Sequence, residues 1–372
     1  MNSHLGLESW PFQVVPDARS ARTWADRAKV KEDLELLVRR LARSEASSIH
    51  LLWAYFGAGK THFLRHLAYI ADDQPNVAMI TTYSVFPRTV RGFIDLYRVM
   101  AKNWSAEQVA NAYSRMESEE PSLADSLDVE FLTGCRALVV RPDTSATVLD
   151  WLRGGRPLAP ALRAAGLTQR IDTSERAIEV AASLCRLFRW STDGRMVWMI
   201  DEFQRIGQLR PAQRNDVNIG LHSLFNELPT GFSLILSFSF GESRNIQFLL
   251  SEELLDRANM EKYFKLPPLT EDEARVFVLD LLAAHRGGAQ VENEAFPFSD
   301  TTIRDLISRI AGSGRLGLKP RTLMQVFNAV LEEADPRLED GSMDYVSPDF
   351  ARAVFEERVA DSLSLDGEED ET

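Results

Sequence analysis

The feature that most constrains this chain is the run Leu51-Leu52-Trp53-Ala54-Tyr55-Phe56-Gly57-Ala58-Gly59-Lys60-Thr61, an apolar strand that feeds a glycine-bearing turn and then a lysine–threonine pair. Phe63-Leu64, Leu67-Ala68 and Ile70 follow at the spacing of one helix face. Strand, turn and helix in this order predict a phosphate-binding P-loop. The first N–H groups of a helix have no intrahelical partner, so with the loop amides they converge on an anion. Gly57 and Gly59 let the turn take up geometry that a Cβ would obstruct. Ala58, Lys60, Thr61 and His62 complete the expected cradle, with Lys60 on the β- and γ-phosphates of ATP and the Thr61 hydroxyl on Mg²⁺. The strict motif's first glycine is Ala54 here, at the end of the strand and outside the phosphate-facing amides.

Val197-Trp198-Met199-Ile200 reads as a buried parallel strand, and it ends in Asp201-Glu202. An acidic pair can simply cap the next helix. After a P-loop it has a further meaning, because ligands of open α/β sheets bind at the carboxyl ends of strands. Asp201 is then the Mg²⁺ ligand, directly or through water, and Glu202 the general base that polarises the attacking water.

The bulk numbers exclude several classes. No stretch approaches the ~20 apolar residues of a membrane span. The N-terminus lacks a charged-then-apolar leader pattern, and two cysteines, Cys135 and Cys185, fit reduced thiols, so a cytoplasmic protein without membrane contact is expected. A net charge of −13 argues against a surface that is basic all over, while leaving room for a local basic stripe. Part of the excess lies in Asp366-Gly367-Glu368-Glu369-Asp370-Glu371, expected to be a solvated, disordered tail over 361–372.

Along the chain, residues 1–28 read as an extended segment with turns at Trp10-Pro11-Phe12 and Pro16-Asp17. Residues 29–268 read as an α/β nucleotide-binding domain with a mostly helical insertion over 87–190, and 269–360 as a small all-α lid. A helix carries Val30, Leu34, Leu37, Val38 and Leu41 on one face. The second strand is expected at Val77–Ile80, ending at Thr81-Thr82-Tyr83, and a further central strand at Phe232–Phe240, followed by the loop Gly241-Glu242-Ser243-Arg244. Pro267-Pro268 marks the boundary, after which Thr270 and Glu273 form a capping box.

P-loop, acidic pair, serine-bearing strand and helical lid, in this order, resemble an AAA+ ATPase over most of residues 20–360. Trp24-Ala25-Asp26-Arg27…Val30 and Lys319-Pro320-Arg321-Thr322-Leu323 resemble the initiator clade, which includes origin-recognition and Cdc6-like proteins, TnsC-type transposition regulators and ATPases of anti-phage operons. Trp151-Leu152-Arg153-Gly154 and Ala165-Gly166-Leu167 faintly resemble ATP-binding proteins of BREX-like defence systems. The resemblance implies a central parallel sheet and a sensor-1 role for Ser237 or Ser239, of which Ser239 is preferred. It implies Arg321 as sensor 2 and Arg257 as the arginine finger acting on a neighbour's site, with Arg244 second. It also implies that Thr81 or Thr82 restrains Glu202. A ring or filament with sites at subunit interfaces follows, together with a protein effector as partner and DNA as a further candidate.

Other constellations carry less. His62 and His66 stand at i, i+4 without a third ligand, and His50 lies inside a strand as a packed residue. Trp53, Tyr55 and Phe56 offer faces to an adenine but fit strand and loop packing better. The favoured reading is an ATP-driven AAA+ switch that regulates a DNA-linked effector in a transposition or anti-phage setting. The alternatives are an ATP-binding scaffold with little hydrolysis, or a protein remodeller; against the last, no aromatic–hydrophobic–Gly pore-loop motif follows the second strand.

Overall fold

The computed structural model describes residues 3–13, 20–25, 27–72, 79–239, 248–258, 263–286, 288, 291, 293–313 and 317–359. The Pro16-Asp17 turn, Val77-Ala78, the 241–244 loop with Arg244, and the acidic tail lie outside these residues. Five strands form one parallel sheet: β1 (Ser48–Ala54), β2 (Met79–Val85), β3 (Arg195–Asp201), β4 (Phe232–Ser239) and β5 (Tyr263–Leu266), in the spatial order β2-β3-β4-β1-β5. This is an α/β fold around a central parallel sheet. β4 separates the P-loop strand from the strand bearing the acidic pair, which opens a crevice between their carboxyl ends.

Residue parity divides the sheet. Met196, Trp198 and Ile200 of β3 join Leu234, Leu236 and Phe238 of β4 in the core of one face. Val197, Met199, Ile235, Leu52 and Ala54 join the core of the other, beneath α1 (Ala28–Arg43) and α2 (Lys60–Asp72). Strand side chains alternate between faces, so Asp201, Ser237 and Ser239 belong to the α2 face by the same count.

The 87–190 stretch is helical: α3 (Phe93–Ala101), α4 (Ala106–Glu119), α5 (Val129–Val140), α6 (Ser145–Leu152), α7 (Ala159–Ala164) and α8 (Ser174–Thr192). Its apolar side chains, Trp151, Phe131 and Leu184 among them, form one continuous core with the first sheet face. The insertion is therefore a thickened layer of the α/β unit. α9 (Pro211–Glu227) and α10 (Glu252–Arg257) complete that layer.

α11 (Glu271–Ala284), α12 (Asp300–Gly312), α13 (Pro320–Glu339) and α14 (Pro348–Val354) build the second core, with the Thr270–Glu273 capping box present at the start of α11. Residues from the 3–13 segment belong to this core. Leu5, Leu7 and Phe12 are at most 2% exposed within it, Phe12 meets Phe327 at 5.5 Å, and Trp10 donates to Asn328 at 2.6 Å. Within the segment expected to be extended, residues 3–13 are thus packed against the helical unit.

β2 also differs from expectation. It runs to Val85, so Thr81 and Thr82 are interior residues paired with Val197 and Trp198. Parity turns Thr82 to the insertion face, where its hydroxyl is buried without a partner among the described residues. Neither threonine stands at the end of β2 beside the acidic pair.

Candidate active site

The P-loop leaves β1 at Ala54 and closes through backbone that needs glycine. Gly57 has φ +74° and Gly59 φ +96°, in the left-handed region where a Cβ is penalised. Gly57 is pressed as well: a Cβ there would lie 3.1 Å from the Arg321 Cβ, and the Arg321 N–H donates to the Gly57 carbonyl at 3.2 Å. The start of α13, Lys319-Pro320-Arg321, is thereby fixed against the loop.

Lys60 is 6% exposed, with Nζ donating to the Tyr55 carbonyl at 3.1 Å above the Phe56 ring. Burial pulls its pKa down to about 8; Asp201 and Glu202 oppose the shift, and Arg321 and Lys319 add to it. Lys60, Arg321 and Lys319 thus bring three cations to the loop, an environment that suits a polyphosphate.

Asp201, 1% exposed, gathers the facing elements. Its Oδ2 accepts from the Thr61 hydroxyl at 2.6 Å and the Tyr83 hydroxyl at 3.1 Å. Its Oδ1 accepts from the Ser237 hydroxyl at 2.8 Å and the Glu202 N–H at 2.9 Å. Burial, then Asp201 itself, raises the Tyr83 pKa, so Tyr83 remains a donor. Thr61 and Asp201 present hard oxygens from opposite walls, a donor set that fits Mg²⁺, which takes one or two protein ligands and leaves the rest to water and phosphate. Among the described residues no group of three or more His, Cys, Asp or Glu side chains forms a metal site.

Glu202 is a non-glycine residue at φ +58°, ψ +33°, a conformation that costs about 1–2 kcal/mol. Its Oε2 accepts from Gln204 Nε2 at 3.0 Å and Arg205 at 3.4 Å, and Arg205 also donates to the Phe86 carbonyl at 2.9 Å. The other end of the Gln204 amide accepts the Ser239 N–H at 3.0 Å.

The two serines separate here. Ser237 is committed to Asp201, whereas the Ser239 hydroxyl is buried with no partner among the described residues, on a residue paired with Ala54 at the base of the P-loop. A buried hydroxyl left unsatisfied costs about 1–3 kcal/mol, so Ser239 is the one with a hydrogen bond to offer a ligand.

Lys60, Thr61, Asp201, Glu202, Ser239, Arg321 and the loop residues Gly57, Ala58 and Gly59 therefore converge. Arg257 does not join them. It is exposed at the end of α10, bonded to Asn226 at 2.6 Å and lying over the Phe225 ring. His62 turns to the side: its ring stands 5.7 Å from Trp24 and 6.0 Å from His66, and burial with the His66 neighbour lowers its pKa to about 4.

Sequence reasoning missed Tyr83, Gln204 and Arg205, and assigned Arg27 no role. Arg27, 8% exposed, donates to the Ala58 carbonyl at 2.8 Å and the Pro267 carbonyl at 2.6 Å, tying the P-loop to the boundary of the helical unit. The available signal was local: Gln204 and Arg205 are the polar residues between buried Phe203 and Ile206, immediately after the acidic pair.

No family model matches the sequence, and no curated protein matches it. Solved structures do match in fold. The ORC2 protein of Aeropyrum pernix, in ADPNP and ADP complexes, is similar with a TM-score of 0.50 at 13% identity, covering 90% of this chain and 68% of that one. Cdc6p of Pyrobaculum aerophilum matches with a TM-score of 0.50 at 14% identity, covering 96% and 71%. The A. pernix ORC1 protein in complex with DNA matches with a TM-score of 0.50 at 14% identity, covering 95% and 70%. At such identity the likeness shows the fold alone.

Proposed function

We propose that the chain is a Mg²⁺-dependent ATPase of the AAA+ type that assembles with ATP and regulates a DNA-linked effector. The observation that carries the reading is the 2.6 Å contact between Thr61 and Asp201, with buried Lys60 on one side and Glu202 on the other. Lys60 and the loop amides hold the β- and γ-phosphates, and Arg321 reaches them from the helical unit. Thr61 and Asp201 would hold Mg²⁺, which would supply charge neutralisation to the triphosphate. Glu202 accepts the proton of the water that attacks the γ-phosphorus, while the bond to the bridging oxygen breaks and ADP leaves with its electron pair. Ser239 donates its unpartnered hydroxyl to the γ-phosphate. Arg257, free of its own site and exposed, serves the site of a neighbouring copy, so hydrolysis depends on a ring or filament.

The DNA bound by the A. pernix ORC1 protein supports testing DNA as ligand, and the transposition or defence setting remains our reading of the client. One observation favours a second reading, a slowly hydrolysing scaffold: Arg205 and Gln204 both hold the Glu202 carboxylate. The deciding experiment is ATP turnover by wild type and Glu202→Gln, with and without duplex DNA, while mass is followed by light scattering. DNA-stimulated turnover, with the variant locked as a large ATP-dependent complex, supports the switch. Negligible turnover with ATP-independent mass favours the scaffold.

A further inference from the structure

The helical insertion carries a basic corner that the proposed reaction does not use. Residues 141–170 hold five arginines against two aspartates, in a chain of net charge −13. Arg153 turns inward to the Trp104 carbonyl at 2.8 Å. The other four, Arg141, Arg156, Arg163 and Arg170, are exposed. Two contacts gather them around α7. Arg141 donates to the Ala164 carbonyl at 2.8 Å, next to Arg163 at the end of that helix. Arg170 donates to the Pro157 carbonyl at 3.0 Å, next to Arg156 where the helix begins. A six-residue helix is about 9 Å long, so four cations crowd one corner.

Several other arginines of the insertion are neutralised by acids. Arg91 and Arg98 pair with Asp95, Arg115 with Glu119, Arg176 with Asp128, and Arg186 with Glu227. Among the described residues, none of the four corner arginines has an ion-pair partner, Asp143 and Asp150 of the same stretch included. Two aliphatic side chains stand exposed among them, Val140 at 67% and Leu158 at 75%. A surface that mixes unpaired cations with exposed aliphatics fits a polypeptide carrying both acidic and aliphatic residues better than a phosphodiester backbone, which offers no aliphatic group.

The sequence contains such a segment. Leu363 and Leu365 precede Asp366, Glu368, Glu369, Asp370 and Glu371, outside the described residues. We propose that the α7 corner docks this acidic C-terminal segment of a second copy of the chain. The strand order argues for a second copy: the helical unit that leads into the segment follows β5, the insertion follows β2, and these are the opposite edges of the sheet. A head-to-tail assembly brings one edge against the other. This assignment of the partner rests on the oligomeric reading above.

The probe is a fluorescein-labelled peptide of residues 360–372, titrated by anisotropy against dilute full-length chain. The receptors are wild type and a variant with Asp366→Asn, Glu368→Gln, Glu369→Gln, Asp370→Asn and Glu371→Gln. Both should bind alike, with roughly tenfold weaker binding after Arg141→Glu with Arg163→Glu, and weaker binding again in high salt. Leu158→Ser, a milder change, should weaken binding severalfold at unchanged circular dichroism. Absence of binding, or binding indifferent to these substitutions, overturns the proposal. Binding only to the tail-neutralised variant would mean that the segment folds back within one copy, and would overturn the second-copy assignment. Tighter binding of a duplex DNA of equal length at the same corner would overturn it in favour of nucleic acid. ATP-dependent mass, followed separately on wild type, tells failure of docking from failure of the assembly reading.

Discussion

Gln204 donates to the Glu202 carboxylate at 3.0 Å, and the same amide accepts the backbone N–H of Ser239 at 3.0 Å. One side chain thus couples the end of β4, beside the P-loop, to the expected general base. Without it, Arg205 is the carboxylate's remaining side-chain partner among the described residues, and Glu202 swings toward the guanidinium. Gln204→Ala should lower kcat roughly 10- to 100-fold, the scale of a misplaced catalytic group, with nucleotide Kd within about twofold. An unchanged kcat would remove Gln204 from the mechanism.

Lys60 gives the protein a pH dependence of definite sign. Its folded pKa of about 8 lies below the ordinary 10.5, so between these values the unfolded chain binds more protons. The stability of the nucleotide-free protein should therefore rise with pH across that window. ATP affinity should move oppositely, weakening up to about tenfold per unit above pH 8, because binding then requires Lys60 to take up a proton. Urea midpoints and calorimetric Kd values from pH 7 to 10 check both slopes, and Lys60→Met should flatten each.

Ser237 and Ser239 should respond in opposite directions. Ser237→Ala deprives buried Asp201 of a donor and should destabilise the nucleotide-free protein by about 1 kcal/mol. Ser239→Ala removes a buried hydroxyl that has no partner among the described residues, so stability should hold or rise by up to about 1 kcal/mol while turnover falls. Equal losses of stability would refute the distinction.

At Gly57 the backbone conformation and the closeness of α13 act together. Gly57→Ala should cost about 1–2 kcal/mol through its left-handed backbone alone, and should weaken ATP binding by pushing Arg321 away. Gly59→Ala meets nothing within 4 Å, so it should carry the conformational cost without displacing the lid.

The trans role of Arg257 has its own signature. Arg257→Ala alone should lose about 10³-fold or more in turnover, the scale of an arginine finger. Mixed with a Lys60→Ala subunit, whose Arg257 is intact, it should regain part of that activity. Absence of rescue would leave Arg257 a surface residue.

The parts legible in the sequence are those set by local chemistry. Gly57, Gly59 and Lys60 announce the P-loop because one turn and one helix start suffice to make it. Asp201-Glu202 announces itself because, after a P-loop, an acidic pair at the end of a buried strand stands where such sheets bind ligands, and Thr270 with Glu273 marks a helix start over a few residues. Other parts depend on contacts between residues far apart in the chain. Thr81 or Thr82 was expected at the site, but the strand runs on to Val85 and leaves both in its interior, and the alternation of side chains faces Thr82 away and puts Tyr83 on Asp201 instead. Only the order of strands assigns Ser237 to Asp201 and leaves Ser239 open. Leu5, Leu7 and Phe12 read as part of an extended segment until the far helices α11–α14 supply the core that buries them. Backbone conformation and hydrophobic period are properties of neighbouring residues, so the sequence alone determined them. The pairing of strands and the choice of buried partners minimise exposed apolar area and unsatisfied polar groups over the whole chain, and only the tertiary structure decided those.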